Sequence, residues 1–264
     1  MSFQTNTPIT SLTTLRLPAT AAHFVILKNL DQLPEIADYI HQHDIPFMVL
    51  GEGSNTLFQS DYPGLIILNQ LSGKQVTDSS ENKLTLQVAA GENWHQLVTW
   101  TVDKGYGGIE NLALIPGTAG AAPVQNIAAY GQNFDDAFLC LTAYDINTKQ
   151  SITMAKAACE FGYRDSYFRH TKHSLIITDI TLQLNTCHQL QTDYYSMGVK
   201  YESIAKELET IAQPPYSINH VYQSVINIRT RQLPDWHVIP TAGSFFKNPL
   251  ITKHKLTELQ TKIP

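Results

Sequence analysis

An α+β fold is what this 264-residue sequence predicts, on three observations: a β-α-β unit at residues 23–50, a later run of strands broken by one helix, and an apolar but irregular segment at 105–131. In the first unit, Phe24-Val25-Ile26-Leu27 reads as a strand and Phe47-Met48-Val49-Leu50 as its return. Between them Asp31 is the candidate N-cap of a helix whose Leu33, Ile36, Ala37 and Ile40 fall at i, i+3, i+4 and i+7, the spacing of one buried face. The return through a helix implies parallel pairing. A glycine loop, Gly51-Glu52-Gly53-Ser54-Asn55-Thr56, follows at once, and then a third apolar strand, Leu65-Ile66-Ile67-Leu68.

Beyond residue 70 the composition changes. The polar run Asp78-Ser79-Ser80-Glu81-Asn82 predicts a break before a strand at Leu84–Val88, and a helix is expected from Trp94 to Lys104. Strands are expected around Leu139–Ile146 and Leu175–Leu184. The glycine-rich segment between them carries Ile109, Leu112, Leu114, Ile115, Val124 and Ile127, too apolar for a disordered loop, so it must pack against something. Gln213-Pro214-Pro215 marks another break, followed by a helix from Ser217 to about Arg231 with Val221, Val225 and Ile228 on one face, and a last helical run at Lys253–Lys262. The expected units are residues 1–70, 71–200 and 201–264.

Hydrophobic residues make up 43% and charged residues 16%, which excludes disorder as the main state. A net charge of −5 gives no electrostatic reason for a nucleic-acid or anionic-membrane partner. Cys140, Cys159 and Cys187 are odd in number and widely spaced, which indicates neither a disulfide framework nor a zinc knuckle and suits a reducing compartment. The N-terminus lacks a basic, then apolar leader, and no apolar run approaches the roughly 18 residues of a membrane span, so a cytoplasmic protein is expected.

Four motifs could carry chemistry. Gly51-x-Gly53-x-Asn55 lets backbone N–H groups approach a phosphate, or is a plain βα turn; neither a dinucleotide fingerprint nor a Walker loop is present. Ile115-Pro116-Gly117-Thr118-Ala119-Gly120-Ala121, with Gln125, Asn126, Tyr130 and Gly131 behind it, is a second small-residue loop, suited to a long diphosphate ligand or to a compact structural loop. Tyr163-Arg164-Asp165-Ser166 offers a guanidinium for an enolate or carboxylate, or a surface ion pair. In Gly243-Ser244-Phe245-Phe246-Lys247-Asn248-Pro249 the serine is outside a G-x-S-x-G elbow, so a catalytic Ser244 suits proton donation better than acyl transfer; a turn serine beside core aromatics is the plainer alternative. His41-x-His43 and His170-x-x-His173 do not read as metal sites, the latter lying among Arg169 and Lys172.

Taken in order, Gly51-Glu52-Gly53-Ser54-Asn55, Glu110 to Gly117, Gln125-Asn126-Ile127 with Ala129-Tyr130-Gly131, Tyr163-Arg164-Asp165-Ser166 and Gly243 to Pro249 resemble the UDP-N-acetylenolpyruvoylglucosamine reductases of peptidoglycan synthesis, over essentially the whole chain. The resemblance implies a two-part FAD-binding module of the vanillyl-alcohol-oxidase kind and a third, incomplete α+β substrate-binding domain. It implies FAD and NADPH as cofactors, and a monomer with no nucleic-acid or membrane partner. NADPH would reduce the flavin, which would pass hydride to UDP-N-acetylglucosamine enolpyruvate to give UDP-N-acetylmuramate.

By the same resemblance Arg164 stabilises the enolate and Ser244 protonates it; because an aliphatic hydroxyl is a poor acid, its donation needs a nearby cation or relay, for which Lys247 is one candidate. Gly51, Gly53, Ser54, Asn55, Ile115, Pro116, Gly117, Gly120, Ala121, Gln125, Asn126, Tyr130 and Gly131 are expected at the flavin. Tyr163, Lys247 and Asn248 are expected at the substrate, with Tyr201 covering its diphosphate. Three positions depart from the family. Ala128 replaces a common glycine and is tolerated only at negative φ, Gln232 replaces a lysine for which Arg231 is the candidate substitute, and Thr13-Thr14 replaces Asn-Thr. Members also continue past the position of Pro264 and carry a catalytic Glu near their C-terminus, so a truncated flavin-binding fragment without turnover is the alternative expectation. An alcohol-oxidising FAD oxidase is a third, with no histidine beside Gly51-x-Gly53 placed for a covalent flavin link.

Overall fold

The computed structural model describes residues 1–170, 174–193, 203–244, 246–249 and 251–262. Its first sheet combines β1 (Gln4–Pro8), β2 (Thr20–Leu27), β3 (Phe47–Leu50) and β4 (Tyr62–Asn69) in the order β1-β2-β4-β3. β1 runs antiparallel to β2, whereas β4 pairs in parallel with both β2 and β3. The two strands of the β-α-β unit are thus parallel but not neighbours: β4 lies between them.

Helix α1 (Leu33–His43) covers this sheet. Leu33, Ile36, Ala37 and Ile40 are all buried, as their spacing predicts, and each large aliphatic contributes about 2 kcal/mol of burial. Asp31 does not cap it. A 3₁₀ turn at Leu30–Gln32 precedes the helix, with Asn29 and Gln32 forming the capping box. Asp44 ends the helix in the left-handed conformation, φ 47°.

The second sheet is antiparallel, in the order β10-β9-β11-β6-β5, from β5 (Lys74–Ser79), β6 (Lys83–Ala89), β9 (Phe138–Asp145), β10 (Gln150–Ala155) and β11 (Leu175–Asn185). The predicted break is shorter than its polar run suggests: Asp78 and Ser79 pair as strand, with Thr85 and Leu84, and only residues 80–82 turn. Polarity misleads here because β5 is an edge strand with its side chains exposed. Helix α2 (Trp94–Asp103) is capped by Asn93, whose side chain accepts from the Gln96 N–H.

The glycine-rich segment is packed, as its apolar residues require. Ile109, Leu112, Ala119, Ala122 and Ile127 are buried, and Trp94 Nε1 donates to Leu112 O at 3.0 Å. It holds 3₁₀ turns at Glu110–Leu112 and Pro123–Gln125 and leads into a small hairpin of β7 (Ala128–Ala129) and β8 (Gln132–Asn133), then one turn of helix, α3 (Phe134–Ala137). A further short helix, α4 (Tyr167–His170), precedes β11.

Helices α5 (Ile204–Ile211) and α6 (Ile218–Gln232) bury Ile204, Leu208, Ile218, Val221, Val225 and Ile228 in the same core as the second sheet. The last helix, α7 (Lys253–Lys262), has no buried residue. The two sheets meet where Tyr144, Ile146 and Ile176 join the core beneath α1, and Asn69 Nδ2 donates to Ile177 O at 3.0 Å. Between them opens the cleft described next.

Candidate active site

The first wall of the cleft is the loop after β3. Gly53 has φ +60°, and a Cβ there would stand 2.2 Å from Leu12 O, so only glycine fits. A Cβ on Gly51 would stand 2.5 Å from Thr118 Oγ1, which shows how closely this loop abuts the second one. Polar contacts tie the two together. Ser54 Oγ donates to Pro116 O at 3.1 Å, Asn55 Nδ2 to Gln125 Oε1 at 2.7 Å, and Gly117 N–H to Glu52 Oε2 at 2.8 Å. The other Glu52 oxygen accepts from Asn93 Nδ2, so one carboxylate joins the first loop, the second loop and the start of α2.

The loops enclose a cavity of about 300 Å³ whose lining includes Gly51, Gly53, Ser54, Asn55, Gly117 and Gln125. A more apolar cavity of about 180 Å³, lined by Phe47, Asn69, Gly120, Phe168, Leu175 and Ile177, adjoins it through Gly51, Thr118 and Ala121. An elongated, backbone-lined cradle with an apolar end fits a dinucleotide carrying flat rings. Pro116 and Ala121 also line the larger cavity, so nine of the thirteen residues expected at the flavin border these two spaces.

The other four, Ile115, Asn126, Tyr130 and Gly131, border neither cavity. Asn126 braces the loop instead: it is left-handed at φ 45°, donates to Gly162 O at 3.2 Å and accepts from the Asp135 N–H. Gly131, φ +85°, turns the chain between β7 and β8, and the Tyr130 phenol bonds to Arg229. Ala128 lies in β7 and is not among the residues of positive φ, so its methyl group causes no strain.

The Tyr163–Ser166 motif is strapped to the second loop. Ser166 is buried and its Oγ donates to Val124 O at 2.6 Å, while Arg164 Nη2 donates to Ala128 O at 2.8 Å. Arg164 itself is left-handed, φ 54°, and its carbonyl accepts from Arg169 Nη1 at 2.9 Å. Two cations meet on one phenol ring: the Arg164 guanidinium carbon lies 6.0 Å and Lys247 Nζ 5.2 Å from the Tyr163 centroid. Asp165 is held below the usual carboxylate range by its hydrogen bonds to His170 at 2.8 Å, with Lys247 adding to the effect. His170 thus hydrogen-bonds Asp165, and His173 lies outside the described residues.

The segment that carries Ser244, Lys247 and Asn248 is tied to the N-terminal residues that touch the first loop. Thr241 N–H donates to Thr14 O at 3.1 Å and Arg16 Nη2 to His237 O at 2.9 Å, while Thr14 N–H donates to Gly53 O at 3.3 Å. Ser244, Lys247 and Asn248 are all exposed. Tyr201 lies outside the described residues. Arg231, the candidate substitute for a lysine at 232, is instead engaged by Glu207 of α5 through Nη1 at 3.2 Å and Nη2 at 2.6 Å. Burial pushes the Cys159 thiol up to about 11, so it is an inert core residue.

Sequence reading missed three side chains. Glu52 could have been found as the one charge inside the glycine loop. Arg169 lines the larger cavity, whereas its place beside His170 in the sequence speaks only of a cation that repels metal. Arg229, reaching Leu114 O at 3.1 Å from α6, carried no local signal because its partner is 115 residues away.

Comparisons with known proteins agree with this geometry. A family profile described as an FAD binding domain matches residues 21–150. The UDP-N-acetylenolpyruvoylglucosamine reductase of Amoebophilus asiaticus (strain 5a2) is 40% identical over 265 residues, covering 100% of this chain and 76% of its own length. The crystal structure of the corresponding Thermus caldophilus reductase superposes with a TM-score of 0.67 at 20% identity, over 98% of this chain and 79% of that one. A solvent-stable cholesterol oxidase shares the fold over 66% of this chain and 36% of its own, with a TM-score of 0.51 at 16% identity. The α+β fold with a flavin module is thereby established, and by its 40% identity along the full chain the protein belongs to the UDP-N-acetylenolpyruvoylglucosamine reductase family, with FAD as its cofactor.

Proposed function

We propose that this protein reduces the enolpyruvyl ether of UDP-N-acetylglucosamine to UDP-N-acetylmuramate at the expense of NADPH, as a cytoplasmic monomer supplying peptidoglycan synthesis. The observation that carries the reading is the convergence of Arg164 and Lys247 on Tyr163, 6.0 and 5.2 Å from its ring, on a motif strapped to the wall of the flavin cleft. When bound, FAD supplies two-electron hydride chemistry. Gly51, Gly53, Ser54, Asn55, Pro116, Gly117, Gly120 and Ala121 would hold it.

The chain's own side chains then manage charge and a proton. Reduction of the substrate's double bond develops negative charge next to its carboxylate, and in this reading the Arg164 guanidinium meets that charge; its bond to Ala128 O and its left-handed backbone support the assignment by fixing the residue. Ser244 gives the proton to carbon, and Lys247, three residues on, lowers the cost of leaving an alkoxide. Tyr163 and Asn248 orient the substrate, and Tyr201 is assigned to its diphosphate. In this reading residues 1–70 and 71–200 are the two halves of the flavin module and 201–264 belong to the substrate-binding unit.

An anaerobic visible spectrum tests the proposal. Flavin bands should bleach on addition of NADPH and return on addition of UDP-N-acetylglucosamine enolpyruvate. Bands that bleach and do not return would overturn the assignment of substrate.

A further inference from the structure

Leu114 has φ +54°, a conformation that a leucine holds only when its surroundings impose it. Both of its backbone groups are pinned. Its N–H donates to His95 Nδ1 at 3.3 Å, and its carbonyl accepts from Arg229 Nη2 at 3.1 Å. Two and three residues on, Pro116 O and Gly117 N–H make the contacts to Ser54 and Glu52 that join the two loops around the larger cavity. The geometry of that wall therefore starts from how Leu114 is held.

His95 is fixed for this purpose. It lies on α2, and its ring stacks on Tyr222 of α6 with centroids 6.2 Å apart and planes at 16°. The Tyr222 hydroxyl is itself 2.8 Å from Thr99 Oγ1. Nδ1 can accept the Leu114 N–H only while it carries no proton. We infer that His95 is a positioning residue whose neutral imidazole holds the Leu114–Gly117 turn in its FAD-binding form, so that protonation of this one ring loosens the grip on FAD. The inference rests on the assignment of the cleft to FAD.

The groups facing His95 set the pH at which this happens. Burial and the Arg229 guanidinium of α6 hold its pKa below the ordinary histidine value, and Glu52 on the first loop pulls it back up. From α6 the Tyr222 phenol also faces the ring, and the Tyr130 phenol bonds to Arg229. The sign follows: above about pH 6.5 the imidazole is neutral in either state. As the pH falls below that, the loosened state takes the proton more readily than the held one, and holding weakens.

Titration of the apoprotein with FAD at a series of pH values between 8 and 5, with far-UV circular dichroism to follow the fold, is the test. The wild-type dissociation constant should rise about tenfold at the acid end, the loss of roughly one hydrogen bond. In His95→Asn, whose amide oxygen stands where Nδ1 stood and accepts at every pH, the profile should be flat. Arg229→Gln removes the like charge together with its bond to Leu114 O, so it should weaken FAD at every pH and move the midpoint to higher pH, which keeps the inference testable if His95→Asn does not fold. His188→Gln, at a ring bonded to Gly105 O at 2.9 Å, should keep the wild-type profile. An unchanged profile in His95→Asn, an unmoved midpoint in Arg229→Gln, or a flat profile in His188→Gln would overturn the inference. Wild-type protein that takes up no FAD at any pH would instead overturn the assignment of the cleft, and this inference with it.

Discussion

At Gly51–Thr56 and Ile115–Ala121 the chain offers a ligand mainly its backbone, from loops so close that a Cβ on Gly51 would collide with Thr118. At Tyr163, Ser244 and 246–249 it offers exposed side chains, with Tyr163 at 48% accessibility and Phe246 at 85%. The first region is tied by crossing hydrogen bonds between Glu52, Ser54, Asn55 and the second loop. The second hangs on a few anchors, chiefly Ser166, Arg164 and Thr241. The difference teaches how each can fail: the cradle is broken by adding an atom, the proposed reactive face by removing one. In the proposed function it also separates two tasks, since a cofactor needs a fixed site while a substrate must enter and leave.

The sharpest test of this division acts on the reactive face alone. Arg164→Ala and Ser244→Ala should each slow substrate-driven flavin reoxidation by about a hundred- to a thousandfold while flavin content is unchanged, as stopped-flow absorbance would show. If either variant slowed only the NADPH step, its assigned role would be lost. In the cradle the contrasting experiment is Gly53→Ala. With φ +60° and Leu12 O 2.2 Å from the new methyl group, it should cost about 3 kcal/mol by thermal unfolding and release the flavin, with no conservative rescue.

A third test asks whether α5 and α6 steady the cradle. The Arg231 guanidinium holds the Glu207 carboxyl below its usual range, against the opposing effect of burial and with help from Asn227. A depressed carboxyl contributes stability above its unfolded pKa of about 4.3 and loses it as the pH falls through the folded value. The wild-type unfolding temperature should therefore drop more steeply below about pH 4.3 than that of Glu207→Gln. The smallest effect is expected at Asn55, whose bond to Gln125 is exposed: Asn55→Ala should cost about 0.5–1 kcal/mol, and a double-mutant cycle with Gln125→Ala should recover it as coupling.

Local physics was legible in the sequence wherever it rests on near neighbours. The helical stripe of α1 and the packing demand of the 105–131 segment follow from spacing and hydropathy alone, whereas the need for glycine at position 53 is set by its approach to Leu12 O. What misled was also local: Asp31 has the chemistry of a cap, but Asn29 and Gln32 formed the box first, and Asp78 and Ser79 look like a turn yet sit on an exposed edge strand. The family resemblance was legible because it rests on the order of short contiguous motifs. Only the tertiary structure could decide that β4 separates the strands of the β-α-β unit and that α6 sends Arg229 to Leu114. Only it could decide that Lys247 and Arg164, 83 positions apart in the sequence, meet on one ring. The reason is physical: such contacts are chosen by the packing of two sheets and a shared core, a sum over many residues that no short window of sequence contains.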